Sequence, residues 1–312
     1  MIKNLVDGSS ANGIYVVKSV TKGVSQNAAQ TTYLNIVLQD NSGTIEAKKW
    51  DASAEDLEKI KVGAILRIDG QAYEYKDKIQ VKVLSAYEIN PNEVDLSALI
   101  ISSPIPVEDL IDDFKKYYNS VKNKDCKIIL SEIFKKYYKE FIDYPAAVTC
   151  HHDFYHGLLY HTVSMCKLAE QVQKLYPDAN YDLLISGCLL HDVGKVIEFS
   201  GPLTPKYTVE GNLLGHITIG MSIIREIASK NGIQSEVPVL LEHMILSHHG
   251  KQEFGSPVLP ETREALLLSM IDDMDSKMMV LDKAYKNIPE GERTDKIFSF
   301  DNRTFYKPHK ID

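Results

Sequence analysis

A set of metal-ligating side chains recurs through the second half of the chain in a fixed order. His161 comes first, then His191 beside Asp192, then His216, then His248 beside His249, and finally Asp272. Imidazoles and carboxylates are ligands for Mn, Fe, Co, Ni or Zn. Nine of the ten histidines fall between His151 and His249, with the candidate ligands spaced so that successive helices carry them. Asp272 lies among apolar neighbours (Leu266, Leu268, Met270), where a carboxylate is costly unless it is paired or metal-bound. Such a cluster points to a bound divalent metal.

Neighbouring residues bear on the same chemistry. His243 precedes His248 by five residues, about 140° round a helix at 3.6 residues per turn, so one ion does not reach both from a regular helix. His248 is the favoured ligand, and His243 reads as a core or supporting residue. His249 could be a third ligand or a substrate contact, and both stay open. His151, His152 and His156 could line a substrate mouth or lie on the surface. Asp273 and Asp275 read as supporting or solvent-facing. Lys195 closes "LLHDVGK" (Leu189–Lys195); taken alone it reads as a surface lysine at a helix C-terminus, where the dipole favours a cation.

The elements that must position these residues are helical. After "NPNEVD" (Asn90–Asp95) the apolar periodicity becomes that of amphipathic helices. "FKKYY" at Phe114 and again at Phe134 marks two helices with similar faces, and Pro145 stops the second. "YHTVSMCKLAEQVQKLY" carries His161. "YDLLISGCLLHDVG" is expected to end at Gly194 as a left-handed C-terminal cap. "HITIGMSIIREIASKNG" and "VPVLLEHMILSHHG" follow, the latter with Pro238 in its first turn. A long helix then carries Asp272, and a polar tail from Pro289 keeps "FSFDNRTFY", able to dock on the body.

The first ninety residues read as β. "TTYLNIVLQD" alternates, with Leu34, Ile36 and Leu38 on one face, and "NSG" (Asn41–Gly43) is a hairpin turn. Five or so strands with one short helix ("SAEDLEKIKVG") suggest a Greek-key barrel of the OB type. The fold class is therefore α+β multidomain: an OB-type β-barrel followed by an all-α helical bundle. The expected divisions are 1–90 barrel, 91–150 helical extension on the catalytic domain, 151–288 ligand-bearing bundle and 289–312 tail.

Composition sets outer bounds. A hydrophobic fraction of 44% and a charged fraction of 25% describe an ordinary globular chain. "MIKNLVDGSS" has no signal-peptide core and the apolar runs are short, so a cytoplasmic protein without a membrane span is expected. Cys126, Cys150, Cys166 and Cys188 form no CxxC pair and read as reduced, partly buried thiols. A net charge of −8 argues against a broad basic face for duplex DNA, though not against a narrow groove for single strands.

The order H…HD…H…HH…D resembles the HD phosphohydrolase superfamily. The resemblance implies one divalent ion on His161, His191, Asp192 and Asp272. It implies a second on Asp192, His216 and His248, with Asp192 shared, and substrate phosphate at Lys195. More narrowly, "TYLNIVLQDNSGTIEAKKWD", "HHDFYHGLLYHTVSM", "LLHDVGKV", "LLGHITIG", "HMILSHHG" and "IDDMDSKM" are similar to the YhaM-type 3′–5′ exoribonucleases, an OB-fold domain followed by an HD domain. Where that family carries "GGLLEHT", this chain has "HGLLYHT", with His156 and Tyr160. The resemblance implies a manganese-dependent nuclease that removes nucleotides from the 3′ end of RNA, with single-stranded DNA as a second substrate. On that view the catalytic pair is Asp192 and Lys195, and the barrel guides the strand. Tyr33, Trp50, Tyr73 and Tyr75 would stack bases, and Lys48 would meet phosphate, helped by Lys49, Lys76 and Lys78. The competing view of these residues is a barrel edge with solvated lysines. The competing functions are a nucleotide or cyclic-dinucleotide phosphohydrolase and a single-strand DNA-binding replication accessory factor. Self-association or docking of a partner is the alternative use of the barrel.

Overall fold

A computed structural model describes residues 1–25, 31–76, 78–100, 102–147, 154–286 and 288–311. His151, His152, Asp77 and Cys150 therefore lie outside the described residues. The chain forms two compact units, Met1–Ser102 and Ser103–Asp312.

The first unit is a closed five-stranded barrel. Its strands are β1 (Gly13–Val24), β2 (Thr32–Asp40), β3 (Gly43–Lys49), β4 (Ile65–Tyr75) and β5 (Lys78–Glu88), in the order β1-β2-β3-β5-β4. All pairings are antiparallel except β3 with β5. The period-2 alternation of β2 puts Leu34, Ile36 and Leu38 inside, where they meet Val17, Leu66, Ile68 and Val81. Helix α1 (Ala54–Lys59) starts at a capping box, with Ser53 and Asp56 each accepting the other's backbone N–H. The segment expected to begin a helical extension at 91 stays with the barrel as far as Ser102. Leu99 and Ile100 are buried there, and the Asn41 N–H donates to the Ala98 carbonyl at 3.2 Å.

The second unit is helical: α2 (Val107–Ser120), α3 (Lys124–Asp143), α4 (Gly157–Leu175), α5 (Tyr181–Leu190), α6 (Lys195–Glu198), α7 (Val209–Lys230), α8 (Val237–Ser247) and α9 (Arg263–Lys286). Its starts follow the sequence. Asn123, Asn180 and Thr208 each cap a helix through a side-chain oxygen. One core joins these helices, with Phe114, Ile129, Leu158, Leu184, Ile224, Leu241 and Leu268 among its members. The two "FKKYY" faces meet edge to face, Phe114 against Phe134 with ring centroids 4.9 Å apart. The tail docks on the end of α9: Lys307 Nζ donates to the carbonyls of Tyr285 and Ile288, and the Tyr285 hydroxyl donates to the Tyr306 carbonyl.

Two glycines decide how the ligand helices meet. α5 ends at Leu190, before the expected cap, and Gly194 is right-handed (φ −61°) rather than left-handed. It is needed for a different reason: a Cβ there would lie 2.0 Å from the His216 carbonyl oxygen. Gly215, at φ 69° and ψ 155°, breaks α7 so that its second segment begins at His216.

Candidate metal centre

The site is built from helix ends. His191 is the C-cap of α5 and His248 the C-cap of α8. Each ring caps its own last turn, His191 Nδ1 lying 2.9 Å from the Cys188 carbonyl and His248 Nδ1 2.7 Å from the Ile245 carbonyl. A carbonyl only accepts, so Nδ1 carries the proton and Nε2 presents its lone pair to the site.

The other rings are oriented in the same way by other partners. His161, on α4, has Nδ1 2.7 Å from Asp275 Oδ2, and Ser164 donates to the second oxygen of that carboxylate. Its Nε2 is 3.1 Å from Asp272 Oδ1. His216 begins the second segment of α7. Its backbone N–H donates to Glu198 Oε1 at 3.0 Å, and its Nδ1 lies 3.2 Å from the same oxygen. His249 Nδ1 is 2.7 Å from the Phe254 carbonyl.

Two groups of ligand atoms result, each mutually within 4.8 Å: His161, His191 and Asp192, and His216, His248 and His249. Asp192 stands between them. Its Oδ2 is 3.2 Å from His191 Nε2, whereas its Oδ1 faces His216 Nε2 at 3.5 Å and His248 Nε2 at 3.8 Å. Asp272 joins the first group through His161, and Ser276 Oγ donates to it at 3.3 Å. His249, left open by the sequence, falls in the second group.

The donor set fits divalent metal. Among the described residues, His191 Nε2, His216 Nε2, His248 Nε2 and Asp192 Oδ1 are buried with no hydrogen-bond partner. An unsatisfied buried polar atom costs about 1–3 kcal/mol, so four of them within the two ligand groups call for bound cations. Electrostatics prepare the same chemistry. Burial would raise the Asp192 pKa, but Lys195 and the imidazoles hold it well below the usual carboxylate range. Burial and the adjacent His249 lower the His248 pKa, so that ring is neutral and able to ligate. Burial and His216 lower His249 likewise. Burial works against a charged His161, yet the hydrogen bonds it donates to the Asp272 and Asp275 carboxylates raise its pKa to about 10, so an ion bound there would displace the Nε2 proton.

Lys195 departs from the surface alternative. It is buried at the start of α6, with Nζ 2.6 Å from Asp192 Oδ2. Together with Asp192, His248, His249, Phe254, Ser269, Asp272, Asp273 and Ser276 it lines a pocket of about 290 Å³. His243 is not in the cluster; its Nε2 accepts the Glu261 N–H at 2.9 Å. His156 is not on the surface. It is buried at φ 67°, with its ring on the Ile142 carbonyl. Glu198 was missed by sequence reasoning; its only local signal is a lone carboxylate between Ile197 and Phe199.

On the barrel, three of the nucleic-acid candidates, Tyr33, Lys48 and Trp50, pack together. Tyr33 and Trp50 have centroids 5.0 Å apart, and Lys48 Nζ lies 5.2 Å from the Trp50 ring. Tyr73 pairs with Gln80 across β4 and β5, and its hydroxyl donates to Gln80 Oε1. Tyr75 is exposed, with Lys76 over its ring. Lys49 is committed internally, donating to the Leu84 carbonyl at 2.7 Å.

Comparison with known proteins accords with both halves. An HD-domain model matches residues 158–277, and an OB-fold nucleic-acid-binding model matches 17–89. The 3′–5′ exoribonuclease YhaM of Bacillus pumilus (strain SAFR-032) is 43% identical over 294 residues, 94% of this chain and 93% of that protein. The chain belongs to the YhaM family. A second member, the YhaM exoribonuclease of Bacillus licheniformis (strain ATCC 14580), is 43% identical over 302 residues, 96% of each chain. The crystal structure of the HD domain of the L. monocytogenes phosphodiesterase PgpH is similar at 19% identity and a TM-score of 0.30, covering 48% of this chain and 73% of that one. The family is one of hydrolytic enzymes, and this chain carries both of its domains. Among the described residues, no helix is long and apolar enough to cross a membrane.

Proposed function

We propose that this chain is a metal-dependent 3′–5′ exonuclease that hydrolyses phosphodiester bonds of RNA and of single-stranded DNA. The observation that carries the reading is the convergence of three partnerless imidazole nitrogens and one partnerless Asp192 oxygen beside a pocket that also holds Lys195. Two divalent ions, manganese foremost, would supply Lewis-acid polarisation of a phosphoryl oxygen and a nucleophile active at neutral pH.

The chain's own residues do the rest. His161, His191, Asp192 and Asp272 would hold one ion. Asp192, His216, His248 and His249 would hold the other, with one Asp192 oxygen turned to each group. The Nδ1 partners fix every ring so that no reorientation accompanies loading. Lys195 neutralises Asp192 and lies in the pocket wall, where its ammonium can meet the charge that develops on a reacting phosphate. The barrel's outward aromatic and basic residues, Tyr33, Lys48, Trp50, Tyr73 and Tyr75, suit a polymer more than a mononucleotide.

The test is digestion of 5′-labelled single-stranded RNA with manganese. The expected result is stepwise shortening from the 3′ end, stopped by a chelator. Release of the labelled 5′ nucleotide first, or equal digestion with the metal removed, would overturn the reading.

A further inference from the structure

The pocket beside the metal centre is polar at nearly every position, and one residue breaks that pattern. Phe254 lines it with 56% of its surface exposed. A single exposed apolar side chain is ordinary. This one is set apart by how it is held. Its backbone carbonyl is the oxygen that accepts the His249 Nδ1–H at 2.7 Å, so the residue is tied directly to the second ligand group.

The turn that carries it is closed on itself. The Phe254 N–H donates to the Lys251 carbonyl at 3.1 Å, Gly255 to Gln252 at 2.9 Å, and Ser256 to Lys251 at 3.3 Å. Gly255 takes the left-handed backbone (φ 99°) that returns the chain after the ring. Lys251 Nζ lies 5.2 Å from the ring centroid, and the same ammonium pairs with Glu253 at 3.3 Å. An exposed aromatic ring with a cation over one face supplies the two contacts that a single-stranded nucleic acid needs, the opposite face for a base and a charge for the backbone.

We propose that Phe254 is the platform on which the 3′-terminal base stacks while the adjacent phosphodiester enters the pocket. The proposal rests on the exonuclease reading above. The last nucleotide of a strand has a base neighbour on one side only, so a ring fixed to the metal group can take the missing place. A pocket of about 290 Å³ lies at the small end of ligand sites, a size suited to a chain end more than to a continuous strand. The platform is sequence-tolerant, because every base has a face to stack.

The experiment compares two single-stranded RNAs that differ only at the 3′ end, one normal and one ending in a nucleotide without a base. With the full chain and manganese, the baseless end is expected to raise KM for the first cleavage by about five- to 140-fold, the range of one base–aromatic stack. Phe254→Leu, which keeps apolar bulk without a π face, should treat the two ends nearly alike. Phe254→Trp should restore the difference. Metal content is measured on each variant to separate loss of stacking from loss of the His249 contact. If the unaltered chain shortens both RNAs equally well, the platform is overturned and the exonuclease reading stands. If Phe254→Leu still discriminates with its metal in place, the platform lies elsewhere. If neither RNA is shortened from its 3′ end, the exonuclease reading fails and this inference fails with it.

Discussion

The helical unit and the barrel solve opposite problems. In the helical unit the polar residues that matter are buried: His161, His191, Asp192 and His248 are each 1–2% exposed. On the barrel the candidate residues are outside, with Trp50 40% and Tyr75 50% exposed. Burying charge is expensive unless the group is paired or ligated, so the first arrangement survives only with a complete set of partners. An exposed tyrosine or lysine costs little and needs no partner. The two regions therefore differ in what a substitution should do: collapse of a centre in one, a graded loss of strand affinity in the other.

The largest expected effect is that of Asp192→Ala. One oxygen of this carboxylate faces each ligand group, so the change strips both. Cleavage should fall on the order of a thousandfold or more, since metal activation is worth several kcal/mol. Loss of His161 or His216 alone should cost less. An Asp192→Ala protein with full metal content and near-normal turnover would erase the distinction between the regions.

Lys195→Ala should come next. The ammonium is a competitor for Asp192, not a ligand, so metal affinity should hold or rise. Cleavage should slow by about 30- to 900-fold, equivalent to roughly 2–4 kcal/mol of transition-state stabilisation. Unchanged single-turnover rates would reduce Lys195 to a counter-ion for Asp192.

Asp275→Asn tests the orienting shell. It weakens the carboxylate that fixes His161 Nδ1, and metal affinity should drop by about 10- to 100-fold in an equilibrium titration. Equal affinity in both proteins would mean that the α4 backbone alone sets the ring.

The smallest effect belongs to the barrel. Trp50→Ala should weaken binding of long single strands by about fivefold, the lower end of the 1–3 kcal/mol stacking range, because half of the ring pair with Tyr33 remains. Fluorescence anisotropy on labelled RNA measures it. A loss as large as that from Lys195→Ala would mean that the barrel, too, holds a centre that does not tolerate single changes.

The same contrast accounts for what was legible in the sequence. The ligand order could be read because His and Asp set among Leu, Ile and Met are too costly to bury without a partner or an ion. The barrel could be read because Leu34, Ile36 and Leu38 alternate with outward residues. What escaped depends on contacts between distant segments. Gly194 carries the local signature of a helix cap, yet its role is set by a carbonyl on α7. Glu198 gained its role only when Gly215 turned His216 toward it. Asp275 was expected to point away from Asp272, yet at three positions on it shares that helix face and takes the other nitrogen of His161. On the barrel the sequence offered residue types without a cost that would single out one of them.

The central claim is that the two ligand groups form one dinuclear centre around Asp192. Elemental analysis of the manganese-loaded, gel-filtered chain by inductively coupled plasma mass spectrometry addresses it directly. Two ions per chain are predicted in the unaltered protein and close to none in Asp192→Ala. An unaltered chain that carries a single ion or no ion, or an Asp192→Ala chain that still carries two, would contradict it.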